Sequence, residues 1–376
     1  MNNFEPEAVT QYPEPLAGSY KPEDCLFLLK PVAADYRSIE DKERLIQQGS
    51  LHYSQMIHRE SEPSATYTDL FYSMLSAYKS RLAEQVMRLA VEITQRRTGP
   101  ITLISLARAG TPFGVLLNRA LTQHFGLKSN HYSISIIRDR GIDSVALDYL
   151  LSKGYSPETF VFIDGWTAKG VITDELKKSI AVYNEANKTN IPAELFVISD
   201  IGGTADVAAT YDDYAIPSAL MNSTVSGLVS RSILNDQVGD TDFHGCVIYD
   251  HLREYDLSDW FIDQITAEMS LDRIAPLLEV PREERQLITK GFLSDVMREM
   301  QVSDINRIKP GIAEATRVML RRVPDLLIVQ QSGHPDVAHL ERLAVEKSIT
   351  VIERSDMPFG ACALIRDVLE MRSTNE

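Results

Sequence analysis

The chain has 376 residues, 24% of them charged and 44% hydrophobic, and a formal net charge of −15. That length supports two or three domains with sizeable cores. The charge argues against broad nonspecific binding to nucleic acid and leaves room only for a local basic patch. No run reaches the roughly 20 apolar residues of a membrane span, and the start Met1-Asn2-Asn3-Phe4-Glu5 lacks the basic and apolar regions of a signal peptide. Cys25, Cys246 and Cys362 are too few and too far apart for a disulfide framework or a zinc knuckle. The expectation is a cytoplasmic protein with no membrane partner.

Residues 1–18 are rich in Pro and Glu and read as a loose N-terminal segment. The run from Ser19 to Pro31 suits a short helix or strand packed on the main domain, and Gly49 to Ser54 suits a loop that roofs a site. Residues 65–97 carry Leu70, Phe71, Met74, Leu75, Tyr78, Leu82, Val86, Leu89 and Ala90 at helical spacing, which predicts a long helix with a core-facing stripe.

From Ile101 onward strands and helices alternate. Strands are predicted at 101–105, 132–137, 160–163 and 193–198, and helices at 112–123, 143–151 and 174–183. This alternation predicts a parallel sheet with helices on both faces. Ligands in such sheets sit beyond the carboxyl ends of the strands, so the residues just after each strand are the site candidates. The first strand is followed by Arg108-Ala109-Gly110-Thr111-Pro112, small residues beside a phosphate-matching guanidinium. An ordinary tight turn explains that loop equally well. The second is followed by Arg138-Asp139-Arg140-Gly141, which suits either an anion clamp or a solvated loop of internal ion pairs.

The third strand ends in Asp164-Gly165-Trp166-Thr167-Ala168-Lys169-Gly170-Val171-Ile172-Thr173. A carboxylate closing a buried apolar run needs a partner, and a small-residue turn at a helix N-terminus attracts anions. Trp166 suits stacking on a base, although core packing is the better reading for it alone. Asn222, Ser223, Thr224 and Ser226 around Gly227 suit either the reading of a base edge or a helix cap. Gly202-Gly203 after the fourth strand is a weaker candidate. Phe243–Tyr249 reads as a strand placing His244 and Cys246 on one face. A thiolate nucleophile at Cys246 is the sharp reading there, and a buried core cysteine the more common one.

Residues 266–310 read as a charged helical linker punctuated by Pro276, Pro281 and Pro310. Beyond it a small α/β sandwich is predicted over 311–376, with helices at 311–320, 337–346 and 361–369 and strands at 325–329 and 350–352. Arg317, Arg321 and Arg322 form a basic spot, which on a helix is ordinarily a solvated face.

Asp164 to Gly170 resembles the phosphoribosyl-pyrophosphate motif of type I phosphoribosyltransferases, and Ser105 to Gly114 resembles the pyrophosphate loop of their uracil-type members. Gly165 stands where that motif usually has a second acid, Ala168 where purine-specific members have a carboxylate, and Ile172 where a hydroxyl residue is usual. In combination, Ser-Leu-Ala-Arg-Ala-Gly-Thr-Pro, His-Tyr-Ser-Ile-Ser-Ile-Ile-Arg and Asp-Gly-Trp-Thr are similar to the bacterial StiP group of tellurite and stress-response operons. That group carries a cysteine protease label. Lys309 to Pro324 resembles a Pelota-type RNA-binding domain.

These resemblances imply a phosphoribosyltransferase-type domain over 19–265 and a Pelota-like domain over 311–376. The implied activity is transfer of phosphoribose from phosphoribosyl pyrophosphate, with Mg²⁺, to an unidentified base or nitrogenous acceptor. Asp164, Arg138 and Arg140 would be catalytic, with Asp164 also meeting the metal. Arg108, Ala109, Gly110, Thr111, Asp164, Gly165, Thr167, Ala168, Lys169, Gly170, Val171 and Thr173 would hold the phosphates and ribose. Trp166, Asn222, Ser223, Thr224 and Ser226 would hold the base. RNA at the C-terminal domain and a second copy of the chain are the expected macromolecular partners. Two other functions are weighed: a non-catalytic nucleotide or phosphoribosyl-pyrophosphate sensor steering RNA binding, and a cysteine protease using Cys246 with His244. None of the three cysteines lies in a recognisable nucleophile motif, and only Cys246 has a histidine close by in sequence.

Overall fold

A computed structural model describes residues 12–277 and 280–369. Most of the predicted loose segment, residues 1–11, lies outside the described residues. Leu16, by contrast, is tied by paired backbone hydrogen bonds to Phe27 (3.0 and 2.6 Å).

The first elements are β1 (Leu26–Leu28), β2 (Lys30–Pro31), α1 (Ile39–Gln47) and α2 (Ala65–Arg96). Ser64 caps α2 by accepting the Tyr67 N–H, as a hydroxyl at that position should. The alternating region gives β3 (Ile101–Leu106), α3 (Thr111–Gln123), β4 (Ser129–Ile134), the short hairpin β5 (Ile136–Ile137) and β6 (Gly141–Ile142), and α4 (Ser144–Ser152). It continues through β7 (Phe160–Thr167), α5 (Val171–Asn187), β8 (Leu195–Asp200), β9 (Val207–Thr210) and the single turn α6 (Pro217–Leu220).

β1, β4, β3, β7, β8 and β9 form one six-stranded sheet in that order, parallel at every pairing. Side chains alternate between its two faces, and both faces are buried. Leu103, Val161, Ile163 and Phe196 pack with α2 and α3, while Ile104, Phe160, Phe162 and Val197 pack with α4 and α5. This is why the strands read as continuous apolar runs.

Two elements complete the region: β10 (Gly245–Cys246), which pairs with β2, and α7 (Ser258–Thr266), which packs on α3. The predicted strand over 243–249 therefore shrinks to two residues.

α8 (Arg282–Glu299) leads into β11 (Ile308–Pro310), α9 (Ile312–Arg321), β12 (Pro324–Val329), α10 (Ala338–Glu346), β13 (Thr350–Glu353) and β14 (Ala361–Ile365). The second sheet runs β11-β14-β12-β13. The helix predicted at 361–369 is instead its central strand β14, antiparallel to β11 and β12. Buried on both faces, it lacks the alternation that would have marked it as a strand.

Candidate functional site

The carboxyl ends of β3 and β7 meet α9 of the C-terminal sheet region, and most of the candidate residues gather along this seam. β7 runs longer than its apolar residues suggest. Trp166 pairs with Ser199 and Thr167 with Asp200 in the register with β8, so the stretch read as a turn is still strand. The helix begins only after Gly170, whose φ of 77° is one that glycine adopts freely.

This geometry fills the expected phosphate cradle with the chain itself. A Cβ on Gly170 would lie 2.9 Å from the Thr204 side chain, and one on Gly202 1.8 Å from the Ala168 carbonyl oxygen. Thr167 Oγ1 meets Thr204 Oγ1 at 3.1 Å. The Lys169 ammonium donates to the carbonyls of Ile305 (3.1 Å) and Ile308 (3.0 Å). Val171 opens α5 half-exposed and Thr173 is buried in its first turn. The fold thus turns the predicted ligand loop into a docking point for residues 202–204 and 305–308.

Asp164 accepts its neighbour Gly165's N–H (2.8 Å), and burial pushes its carboxyl up to about 6, against the nearby Arg317. Asp164 brings one carboxylate, and among the described residues no three His, Cys, Asp or Glu side chains gather as a metal site. Trp166 Nε1–H donates to Glu314 Oε1 (3.1 Å), which also accepts from Arg317 (2.6 Å). The Arg317 guanidinium lies over the indole, 5.0 Å from its centroid. Burial alone would raise the Glu314 carboxyl; Arg317 and Lys309 instead bring it down to about 2. Trp166 therefore joins the two regions and is not a free stacking platform.

Arg108, following a cis Ala107–Arg108 peptide, donates to the Val229 carbonyl (2.9 Å) and pairs with Glu60. Burial again opposes ionisation of Glu60, and Arg108 and Arg321 outweigh it, leaving the carboxyl at about 2. Glu60 also accepts from the Ser223 N–H (3.0 Å) and hydroxyl (2.7 Å). A lone acid in a polar loop gave no sign of this role. Ala109 and Gly110 pack closely here: a Cβ on Gly110 would meet the Ile163 carbonyl at 2.3 Å. Thr111 bonds Ser133 (2.7 Å). Ser226 donates to the Asn222 carbonyl (2.7 Å), and the Thr224 carbonyl accepts the Leu257 N–H (2.7 Å). The hydroxyl-rich segment is thus largely spent on its own turn.

Arg138 and Arg140 form no clamp over Asp164. Arg138 stacks on Tyr53 at 5.4 Å and bonds Asp139 (3.1 Å) and Asn306 (3.0 Å); Arg140 stands beside His52. The expected basic spot is turned inward. Arg322 pairs with Glu43 on α1 (2.6 and 2.8 Å), and Arg317 and Arg321 face Arg108 and Trp166 across the seam. Asp213 crosses the same seam, accepting the N–H groups of Ile312 (2.9 and 3.0 Å) and Gly360 (2.9 Å). With burial as the main cause, its carboxyl is raised to about 7.

All three cysteines are buried and free. Burial raises the Cys25 thiol and pushes Cys246 and Cys362 up to about 12. His244, two residues before Cys246, has Nδ1 in contact with Ser135 Oγ (2.7 Å), and its backbone N–H donates to Asp143 (2.6 Å). Burial lowers its imidazole, so it rests neutral.

Fold and seam together define an α/β protein in which a parallel-sheet region is locked to a smaller C-terminal sheet region. The family model described as tellurite-like stress resistance cysteine protease StiP matches residues 18–266, and one for the PELOTA RNA binding domain matches 288–367. The chain belongs to the StiP family. It is 39% identical over 364 residues to the protein named cysteine protease StiP of Acinetobacter baylyi (strain ATCC 33305 / BD413 / ADP1), covering 93% of this chain and 94% of that one. An α-aminoadipate aminotransferase structure, LysN from Thermus thermophilus, matches at 10% identity and a TM-score of 0.21 over 79% of this chain and 70% of that one, too little for any argument. The family match and the protease-named relative overturn the expected phosphoribosyltransferase activity, and with it the glycosyltransferase class.

Proposed function

We propose that this chain is a cysteine peptidase held in a closed form, with Cys246 as nucleophile and His244 as its base. The observation that carries this reading is the extended similarity to a protein named as a cysteine protease. The local chemistry that favours Cys246 is a neutral imidazole two residues away, its Nδ1 engaged by Ser135 and its backbone held by Asp143. In the proposed tautomer Nδ1–H donates to Ser135 Oγ, which leaves Nε2 to take the thiol proton. The thiolate then attacks the scissile carbonyl, His244 returns the proton to the leaving amine, and water hydrolyses the thioester.

A thiol at about 12 is almost wholly protonated at neutral pH, so catalysis requires the segment over it to open. That segment is fastened by the β10–β2 pairing, the bridges Val229–Ile248 and Ile233–Gly245, and the backbone bonds of Val247 and Tyr249, so opening has to break these. Opening restores water to the thiol and lowers its pKa toward the ordinary 8.5 or so. The expected result is that Cys246→Ala abolishes peptide cleavage, by about 10³-fold or more, while Cys25→Ala and Cys362→Ala retain it. Cleavage retained by Cys246→Ala sinks the assignment.

The sheet region is proposed to share the scaffold of type I phosphoribosyltransferases, on the strength of its strand–helix alternation and the loops at 105–114 and 164–170, without their ligand site. The C-terminal region is proposed to bind RNA, on the strength of its PELOTA match. Because Arg317, Arg321 and Arg322 face inward, any RNA surface lies elsewhere on this region. Filter binding at two salt concentrations tests it: absence of salt-dependent retention excludes the reading.

A further inference from the structure

Just ahead of Cys246 the chain closes into a loop. Ile233 and Gly245 exchange both backbone hydrogen bonds (2.7 Å each), and residues 234–242 between them are mostly polar, with Asp236, Gln237, Gly239, Asp240 and Thr241 exposed. Exposed polar loops are ordinarily the mobile parts of a fold. This one is braced from within, because Asn235 Oδ1 accepts the Gln237 N–H (3.1 Å) and Asp242 accepts the Gly239 N–H (2.9 Å). It is also tied to Ala33, 204 residues earlier in the chain.

That tie copies a backbone pairing. The Ala33 N–H donates to Gln237 Oε1 (3.0 Å), and Gln237 Nε2 donates to the Ala33 carbonyl (3.1 Å). One partner is a donor and the other an acceptor, which fixes the orientation of the carboxamide. Lys30 Nζ adds bonds to the Gln237 carbonyl (2.8 Å) and to Asp242 (2.6 Å). The Lys30 and Val32 N–H groups donate to the carbonyls of His244 and Cys246 (2.9 Å each). Successive N–H groups of an extended chain point to opposite edges, so Gln237 takes the edge of the β2 segment that faces away from β10. Val238 packs over the same ribbon: a Cβ on Gly245 would lie 3.2 Å from Val238 Cγ2 and 3.0 Å from Val32 Cγ1.

One stretch of chain, residues 233–246, thus grips the β2 segment from both edges. Only Phe243 and His244 separate Asp242, held by Lys30, from Gly245 of β10. With so little slack, β10 cannot part from β2 while the loop stays caught on Ala33. We propose that residues 234–242 are a strap that holds Cys246 closed, with Gln237 as the catch that must leave Ala33 before the thiol meets solvent. Both Ala33 and Gln237 are exposed, so water replaces their bonds on release and the core is undisturbed. The strap supplies the opening step that the peptidase reading of Cys246 requires, and its purpose rests on that reading, whereas its control of the thiol is testable without it.

The test is alkylation of the full chain with iodoacetamide at about pH 8, near the ordinary thiol pKa, with each labelled cysteine identified by peptide mass spectrometry. Gln237→Met keeps the length of the side chain and loses both bonds to Ala33. Its Cys246 is expected to react about tenfold faster than in the parent, as the loss of two net hydrogen bonds implies. Lys30→Met is expected to give a rise of about threefold, since its ion pair is partly exposed. Cys362, buried in the C-terminal region, is the internal control and is expected to keep its parent rate in both variants. An unchanged Cys246 rate in Gln237→Met overturns the strap, and so does a rise shared equally by Cys362, which reports general loosening. Cleavage of fluorescent casein is read in parallel. Faster labelling of Cys246 with no cleavage by any variant upholds the strap and sinks the peptidase reading; faster labelling with faster cleavage supports both.

Discussion

Arg317 and Arg321 stand one turn apart on α9 and meet opposite surroundings. Arg317 has Glu314 on its own helix and the Trp166 ring beneath it, and against burial Glu314, helped by Asp164, holds its proton more tightly than usual. Arg321 has neither, and burial with its arginine neighbours, only partly offset by Glu60, lowers it to about 9. The same helix thus carries one arginine that completes the structure and one that the structure leaves incomplete. Where the partner is built in, the charge fastens two regions together.

Glu60→Ala is the strongest way to break this contrast, since it strips Arg108 of its carboxylate and leaves a second buried guanidinium unpaired. The Arg108 and Glu60 side chains are 4% and 10% exposed. Loss of one partner from a pair so buried is expected to cost about 3–5 kcal/mol, read by chemical denaturation. A loss under about 1 kcal/mol would mean that Arg108 finds other company.

Glu314→Gln does the same to Arg317 more gently. The two side chains are 28% and 31% exposed, so water screens the pair and the expected loss is about 1 kcal/mol. The indole hydrogen bond survives in Gln, and tryptophan fluorescence should change little.

Asp213 adds a pH dependence to the seam. Its carboxyl, raised to about 7 in the fold, is near 3.9 in an unfolded chain. The fold therefore favours the protonated form. That stabilisation is complete below about pH 4 and is lost as pH rises through 7. The parent should lose stability relative to Asp213→Asn between about pH 4 and 7. Parallel pH profiles for the two would show that Asp213 does not titrate in this range.

The sequence also misled at the end of β7. Phe160 to Ile163 is plainly a buried strand, and Asp164 to Gly170 has the composition of an anion-binding turn. Local composition carries no information about what other parts of the chain will occupy that turn. Thr204, Gly202 and the carbonyls of Ile305 and Ile308 do so, and these contacts replace the ligand that the motif suggests. Glu60 was invisible for the same reason: its partner Arg108 is 48 residues away, and nothing in its own neighbourhood marks it as buried.

By itself the sequence determined the elements whose signal is local. These include the helical stripe of α2, the apolar strands of a sheet buried on both faces, and the small-residue loops that allow close backbone approach. Tertiary structure alone decided three further matters. β14 became a strand because β11 and β12 flank it. The arginines of α9 turned inward because that helix lies across the ends of β3 and β7. Cys246 became a closed thiol because its short strand packs into the main core. The physical reason is common to all three: periodicity is written in neighbouring residues, whereas burial and charge pairing depend on which distant segment arrives.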